Sequence, residues 1–257
     1  MGKDHRLFAT ALLLALAGCN SFAPTEFNQA QMIKPFKFHK TQSINLNYLL
    51  FLPANYETKS AKGWPLILFL HGAGERGSDV WQTAIHGPAR YIAQHPDFPF
   101  ILLSPQCPAG QHWSNDSLLP LLDEITRRYK VDTARVYLTG SSMGGYGTWE
   151  LGLSYPEKFA ALAPVCGGGQ MITLILASRE KPQALKTLPL WAFHGAKDPV
   201  VPIEETQRMI DALKKIGAKE TKLTIYPEAG HNSWTKTYND PQLYEWLLEH
   251  ERKPLAK

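Results

Sequence analysis

The chain has 257 residues, three of them cysteine, and a formal net charge of +4. That charge is spread along the sequence without a Lys/Arg block or interleaved aromatics, so nucleic acid as a partner has no support. No internal repeat or low-complexity tract is present, and the roughly 240 residues left after a leader suffice for one domain with a sizeable core.

Lys3 and Arg6 lead into an apolar run from Leu7 to Ala17. The run is roughly 11 residues long, well short of the ~20 that cross a bilayer, so residues 1–18 read as a secretory signal and not as a spanning helix. It ends in Leu16-Ala17-Gly18-Cys19, which resembles the lipobox of bacterial lipoproteins, although Asp4 in the basic region departs from that pattern. The resemblance implies that Cys19 carries lipid and that a membrane is a partner through this N-terminal anchor. Asn20 in place of Asp directs the anchor, by the same resemblance, to the outer membrane of a bacterial envelope, facing the periplasm or exterior. The alternative is an ordinary signal peptide that happens to hold a cysteine. Residues 19–34 have few apolar positions and no periodicity and read as a tether, leaving 35–257 as the catalytic domain.

Next come strand signals. "FKFHK" (Phe36–Lys40) and "INLNYLLFLP" (Ile44–Pro53) predict an N-terminal pair of strands. Apolar runs of strand length recur at "PLILFLH", "FPFILLSP", "RVYLTG", "FAALAPV", "LPLWAFHG" and "KLTIYPEAG". Between them, "LLPLLDEITRRYK" places Leu118, Leu122, Ile125 and Tyr129 on one helical face. "IEETQRMIDALKKIG" does the same with Met209, Ile210, Leu213 and Ile216 before stopping at Gly217. Continuous apolar strands alternating with helices predict an α/β fold, a mostly parallel twisted sheet covered by helices on both faces. In such sheets the site lies beyond the carboxyl ends of the strands.

The first such end carries Gly72-Ala73-Gly74-Glu75-Arg76-Gly77, a literal G-x-G-x-x-G. A dinucleotide cradle needs an acidic residue at the end of the following strand, and "LLSPQCP" has none. Gly140-Ser141-Ser142-Met143-Gly144 is a G-x-S-x-G between a strand and a helix, the setting of a nucleophile elbow. Asp198 follows the next strand but one, His231 the strand after that, in the chain order Ser, Asp, His of the α/β-hydrolases. A hydroxyl near neutral pH needs a base to take its proton, and that base needs a carboxylate to fix its tautomer. Ser142, His231 and Asp198 fill these roles. In that setting the Gly-rich turn serves an oxyanion hole, with the amide of Ala73 or Gly74 as one donor and that of Met143 as the other.

The stretches "HGAGERGSD", "SPQCPAGQHW", "LTGSSMGGYGTW", "FAALAPVCGGG", "WAFHGAKDPVVP" and "YPEAGHNSWTKTYNDPQLYEWLL" resemble the predicted-peptidase and esterase group of α/β-hydrolases, near the dienelactone hydrolase and prolyl oligopeptidase catalytic domains. The resemblance runs from about Ile44 to Leu248. It implies the α/β-hydrolase fold, supports the three residues above, and places Trp113 and Trp234 along the substrate pocket. Glu75 and Arg76 are expected to pair with each other. Cys107 and Cys166 lie past strands about three spacings apart, roughly 14 Å, whereas a bridge needs Cα atoms within about 7 Å. Two buried thiols is the expectation, a disulfide the alternative. No metal-binding pattern such as H-E-x-x-H occurs, and no cofactor is called for. The expected function is a serine carboxylesterase acting on small or short-chain esters. The alternatives are a small serine peptidase with the same residues and a surface-binding lipoprotein without turnover.

Overall fold

The computed structural model describes residues 44–57 and 62–252. The signal, Cys19, the tether and the "FKFHK" strand lie outside them. Seven strands form one sheet in the order β1-β3-β2-β4-β5-β6-β7: β1 Tyr48–Phe51, β2 Trp64–Leu70, β3 Ile101–Pro105, β4 Val131–Ser141, β5 Ala161–Val165, β6 Leu190–Gly195 and β7 Thr221–Tyr226. Among the described strands only β1 runs antiparallel, against β3 (Tyr48 opposite Pro105, Phe51 opposite Leu102); the other pairs are parallel.

The two-residue period of a strand explains the layers. Leu66, Leu68 and Leu70 of β2 enter one core with Leu103, Leu138 and Leu162, while Ile67 and Phe69 enter the other with Leu102, Tyr137, Ala161 and Phe193. The first core is closed by α2 Asn115–Arg128, α3 Met143–Ser154, α4 Met171–Glu180, α5 Pro182–Thr187 and α6 Glu204–Lys215. Across the sheet lie α1 Gly87–Ile92, α7 Trp234–Tyr238 and α8 Pro241–Leu248. Covered on both faces, β2 is buried along its whole length, which is why its sequence shows no polar alternation.

The amphipathic stretches fold as helices for local reasons. In α2, Ser114 accepts the Asp116 amide as N-cap, Asp116 stands in the first turn and Arg127 and Arg128 in the last, matching the helix dipole. Leu118, Leu122 and Ile125 are buried on one face, as their spacing requires. In α6, Met209, Ile210 and Leu213 are buried, Glu204 and Glu205 open the helix and Lys214 and Lys215 close it.

Cys107 and Cys166 are free, buried thiols. They follow β3 and β5, with β2 and β4 lying between those strands, so the disulfide alternative is not formed.

Candidate active site

The turn from β4 to α3 holds Ser142 at φ 54° and ψ −116°, a left-handed conformation that a non-glycine residue adopts only under constraint. The constraint is backbone crowding. A Cβ on Gly144 would lie 1.8 Å from the Leu70 carbonyl oxygen, and one on Gly140 2.4 Å from the Gly144 oxygen. Only hydrogen fits at either position, so the G-x-S-x-G glycines let α3 start directly against β2. Ser142 thereby projects at the start of α3.

The acid and the base meet because the loops after β6 and β7 are tied together. The amide of Lys197 donates to Ala229 O at 3.0 Å and that of Ala196 to Tyr226 O at 2.9 Å. Asp198 Oδ1 accepts the amides of Val200 and Val201, each at 2.9 Å. Its other oxygen, Oδ2, faces His231 Nδ1 at 2.8 Å, and His231 Nε2 faces Ser142 Oγ at 2.9 Å. With Asp198 ionised, Nδ1 carries the ring proton and Nε2 accepts from the hydroxyl. The Asp198 side chain is fully buried while that of His231 is 19% exposed, so the chain runs from interior to surface. Burial acts to raise the Asp198 pKa, but the hydrogen bonds from His231 and from the Val201 and Val200 amides outweigh it and hold the carboxyl below its ordinary range.

Facing Ser142 is the turn after β2. Ala73–Glu75 form one turn of 3-10 helix with Gly72 ahead of it. A Cβ on Gly72 would come 3.7 Å from Ser142 Cβ, whereas one on Gly74 would meet nothing within 4 Å. The Gly-rich turn therefore passes beside the serine at Gly72 and faces open space at Gly74. Met143 begins α3, and a first-turn amide has no partner inside its helix. These are the positions from which two amides can address an oxygen bound to the serine-linked carbon.

Three side chains that spacing arguments did not identify hold this turn. His71 is buried; its Nδ1 donates to Gly72 O at 2.6 Å and its Nε2 accepts the Cys107 amide at 2.9 Å. Burial lowers its pKa against the opposing pulls of the Gly72 carbonyl and the Glu75 charge, which keeps the ring neutral in the tautomer those bonds need. Gln106 Nε2 donates to the carbonyls of Glu75 (2.9 Å) and Asp79 (2.7 Å). Arg76 does not pair with Glu75, contrary to expectation. Its guanidinium reaches the carbonyls of Ala73 (2.9 Å) and Gln111 (3.2 Å). The Glu75 carboxylate points the other way, 3.8 Å from His71 Nδ1 and 3.9 Å from His86 Nε2.

The two tryptophans have different places. Trp113 donates from Nε1 to His71 O at 3.0 Å and sets its ring against the histidine, 4.8 Å between centroids, so it braces the turn from beneath. Trp234 stands edge-on to His231 at 5.2 Å and lies 5.8 Å from the ring of His86. Only Trp234 touches the hydrogen-bonded chain. Beyond β5 the cap is confined to α4 and α5, and α4 leaves Met171, Ile172, Ile175 and Leu176 exposed, as α3 leaves Tyr146. A separate groove lined by Phe159, Ala160, Leu188, Pro189, Lys219 and Glu220 lies at the amino ends of β5, β6 and β7, away from Ser142. Among the described residues, no three His, Cys, Asp or Glu side chains gather as a metal ligand set.

With this geometry in hand, known proteins give a consistent picture. The profile of the phospholipase/carboxylesterase family matches residues 118–244. A bifunctional acetylxylan esterase/xylanase of Neocallimastix patriciarum is 25% identical over 182 residues, 66% of this chain and 24% of that protein. An uncharacterized peptidase of Bacillus subtilis is 27% identical over 228 residues, 74% of this chain and 34% of that one. The chain thus spans between a quarter and about a third of the length of these two relatives. Among solved structures, a thermostable esterase superposes with a TM-score of 0.66 at 34% identity, covering 80% of this chain and 60% of the other.

Proposed function

The chain is an α/β-hydrolase of the group that holds esterases and peptidases, and from that premise we propose that it is a serine carboxylesterase cleaving small or short-chain esters through an acyl-enzyme. The observation that carries the proposal is the unbroken hydrogen-bond chain from buried Asp198 through His231 to Ser142 Oγ. As Ser142 Oγ bonds to the ester carbon, its proton passes to His231 Nε2, and Asp198 stabilises the imidazolium. The carbonyl oxygen becomes an oxyanion and takes the amides of Met143 and of Ala73 or Gly74. When the carbon–alkoxide bond breaks, His231 returns the proton to the leaving alcohol. Water, activated by the same histidine, then attacks the acyl group and releases the acid and Ser142.

Short esters suit the small cap. Helices α4 and α5 are the only regular elements between β5 and β6, so little is present to grip an extended chain. An amide needs that grip more, because its amine leaves only when protonated in an aligned complex. We propose further that the enzyme works at a bacterial envelope, lipid-anchored at Cys19, and that neither nucleic acid nor a cofactor takes part.

The test is fluorophosphonate labelling of wild type and Ser142→Ala, beside kcat/KM for nitrophenyl acetate, butyrate and dodecanoate and a panel of aminopeptidase and endopeptidase substrates. Labelling of wild type alone, with short esters preferred, is expected. A peptide turned over as well as the short esters replaces the esterase reading with the peptidase one. A wild type that neither labels nor hydrolyses leaves a binding lipoprotein.

A further inference from the structure

A second histidine stands behind the acid. His194 lies in β6, four residues before Asp198, and its side chain is wholly buried. Its Nε2 is 2.9 Å from Val201 O and 3.3 Å from Asp198 Oδ2. Val201 O accepts at this nitrogen, so it carries a proton. Oδ2 is also the oxygen bound by His231 Nδ1. Oδ2 thus takes its hydrogen bond from His231 with a second imidazole 3.3 Å away, while Oδ1 takes two backbone amides.

The far edge of the ring is held as well. His194 Nδ1 lies 2.7 Å from Thr206 Oγ1, in α6, and that hydroxyl is 2.5 Å from Gly167 O. Gly167 abuts the nucleophile turn, for a Cβ placed on it would be 2.7 Å from the Gly145 backbone in α3. Gly167 also follows Cys166, which is held at φ 40°. The acid turn and the nucleophile turn are therefore joined through His194, Thr206 and Gly167, in addition to their contact through His231.

We infer that His194 is a positioning residue for ester hydrolysis, its Nε2–H holding Val201 O and so keeping the Asp198–Val201 turn, with the carboxylate it carries, in register with His231 and Ser142. The inference rests on the serine-hydrolase reading above and adds a residue to it. A buried ring that only filled space could be replaced by another ring of similar size. A ring whose N–H holds the turn carrying a carboxylate could not, because Val201 O would lose its donor in a place water does not reach. Small displacements matter here, since a misplacement of about 1 Å can cost on the order of a hundredfold in rate.

The experiment compares His194→Phe, His194→Gln and Thr206→Val in the full chain with wild type. The readouts are kcat and KM for nitrophenyl acetate and the rate of fluorophosphonate labelling. Phenylalanine keeps the ring and removes the donor, so kcat and labelling rate fall about 10- to 100-fold while KM stays within about twofold. Glutamine can present its amide N–H near the position of Nε2 and recovers activity to within about fivefold of wild type. Thr206→Val leaves the histidine in place but frees its far edge, and lowers kcat about three- to tenfold at constant KM. It also decides the matter should the phenylalanine variant fail to fold. A phenylalanine variant with wild-type kcat, a glutamine variant as impaired as phenylalanine, or an unchanged kcat in Thr206→Val overturns the inference. Wild type that resists the fluorophosphonate overturns the serine-hydrolase reading itself, whereas a labelled wild type with equally fast His194 variants overturns this inference alone.

Discussion

Replacing His71 with leucine tests whether the Gly-rich turn is held from beneath. Leucine keeps an apolar side chain in the same buried position but supplies neither a donor to Gly72 O nor an acceptor to the Cys107 amide, bonds of 2.6 and 2.9 Å in the native chain. The site is closed to water, His71 being 1% exposed, and each orphaned backbone group costs about 1–3 kcal/mol. The two together give a loss of roughly 2–6 kcal/mol, or about 4–24 °C in Tm at roughly 2–4 °C per kcal/mol for a domain of this size. The bond from Trp113 Nε1 ends on the His71 backbone carbonyl and survives, so the loss belongs to the imidazole. Activity should fall with stability, because the freed turn carries Ala73 and Gly74. Loss of one oxyanion donor costs on the order of 10²–10³ in kcat.

The same residue has a pH signature. Burial depresses the His71 pKa below its ordinary value of 6.5. As pH falls below that value the unfolded chain binds a proton that the folded chain refuses, and wild type loses stability. The leucine variant has no such group, so the gap between the two narrows as the solution is acidified from pH 8 toward pH 5.5. Thermal melts at several pH values, with kcat for nitrophenyl acetate at pH 8, measure both effects. A variant within about 1 kcal/mol of wild type at pH 8, or a gap that widens on acidification, refutes the argument.

Ser142→Ala removes one hydroxyl and no core volume, so Tm stays within about 2 °C while kcat falls at least about a thousandfold; retention of a tenth of the activity, measured with nitrophenyl acetate, speaks against Ser142 as nucleophile. Gly144→Ala drives a methyl to 1.8 Å from the Leu70 oxygen and is expected to cost about 3 kcal/mol or more or to prevent folding, with a wild-type urea midpoint as the contrary result. Asp198 has its carboxyl held below the ordinary range, so it contributes stability that is present above the carboxylate range and lost as pH falls through its lowered value. Asp198→Asn should flatten the acid side of the wild-type stability curve, and an unchanged curve contradicts that. Cys19→Ser should move the protein from the detergent phase to the aqueous phase on partitioning, several acyl chains holding far more firmly than one at ~0.8 kcal/mol per methylene; an aqueous distribution of both forms speaks against the anchor.

How much could be read in advance depended on whether a residue's task imposes a pattern. The runs of β2, β3, β5, β6 and the second half of β4 were legible because strands buried on both faces must be continuously apolar; β7, at the sheet edge, is largely half-buried or exposed. Their limits were less so. "INLNYLLFLP" narrows to Tyr48–Phe51, the residues paired with β3, and β4 begins at Val131 because Val131 meets Trp64 across a shift in register. "MITLILASRE" carries apolar residues on the exposed side of α4 as well as the buried one, so no stripe marks it as a helix. Ser142, Asp198 and His231 stood out because proton transfer dictates residue type, chain order and position at strand ends, and the structure brings the three together. The Glu75–Arg76 pair failed for a physical reason. Adjacent side chains diverge, and Arg76 gains two carbonyl acceptors by turning toward Ala73 and Gln111.

His71, Trp113 and His194 obey no such rule, since each has only to bring a nitrogen to a carbonyl or a carboxylate of a neighbouring segment. Many residues at many spacings could do that, so their roles emerge only once the backbone is in place. Yet each bears on a group whose placement sets the rate. His71 and Trp113 act on the turn proposed to supply an oxyanion donor, and His194 on the turn that carries Asp198. A hydroxyl, an imidazole and a carboxylate in the right order make ester cleavage chemically possible. On the proposed mechanism these three nitrogens hold the two turns in the geometry that makes cleavage fast, so substitutions at them should lower kcat although every residue that a motif search would find is still present.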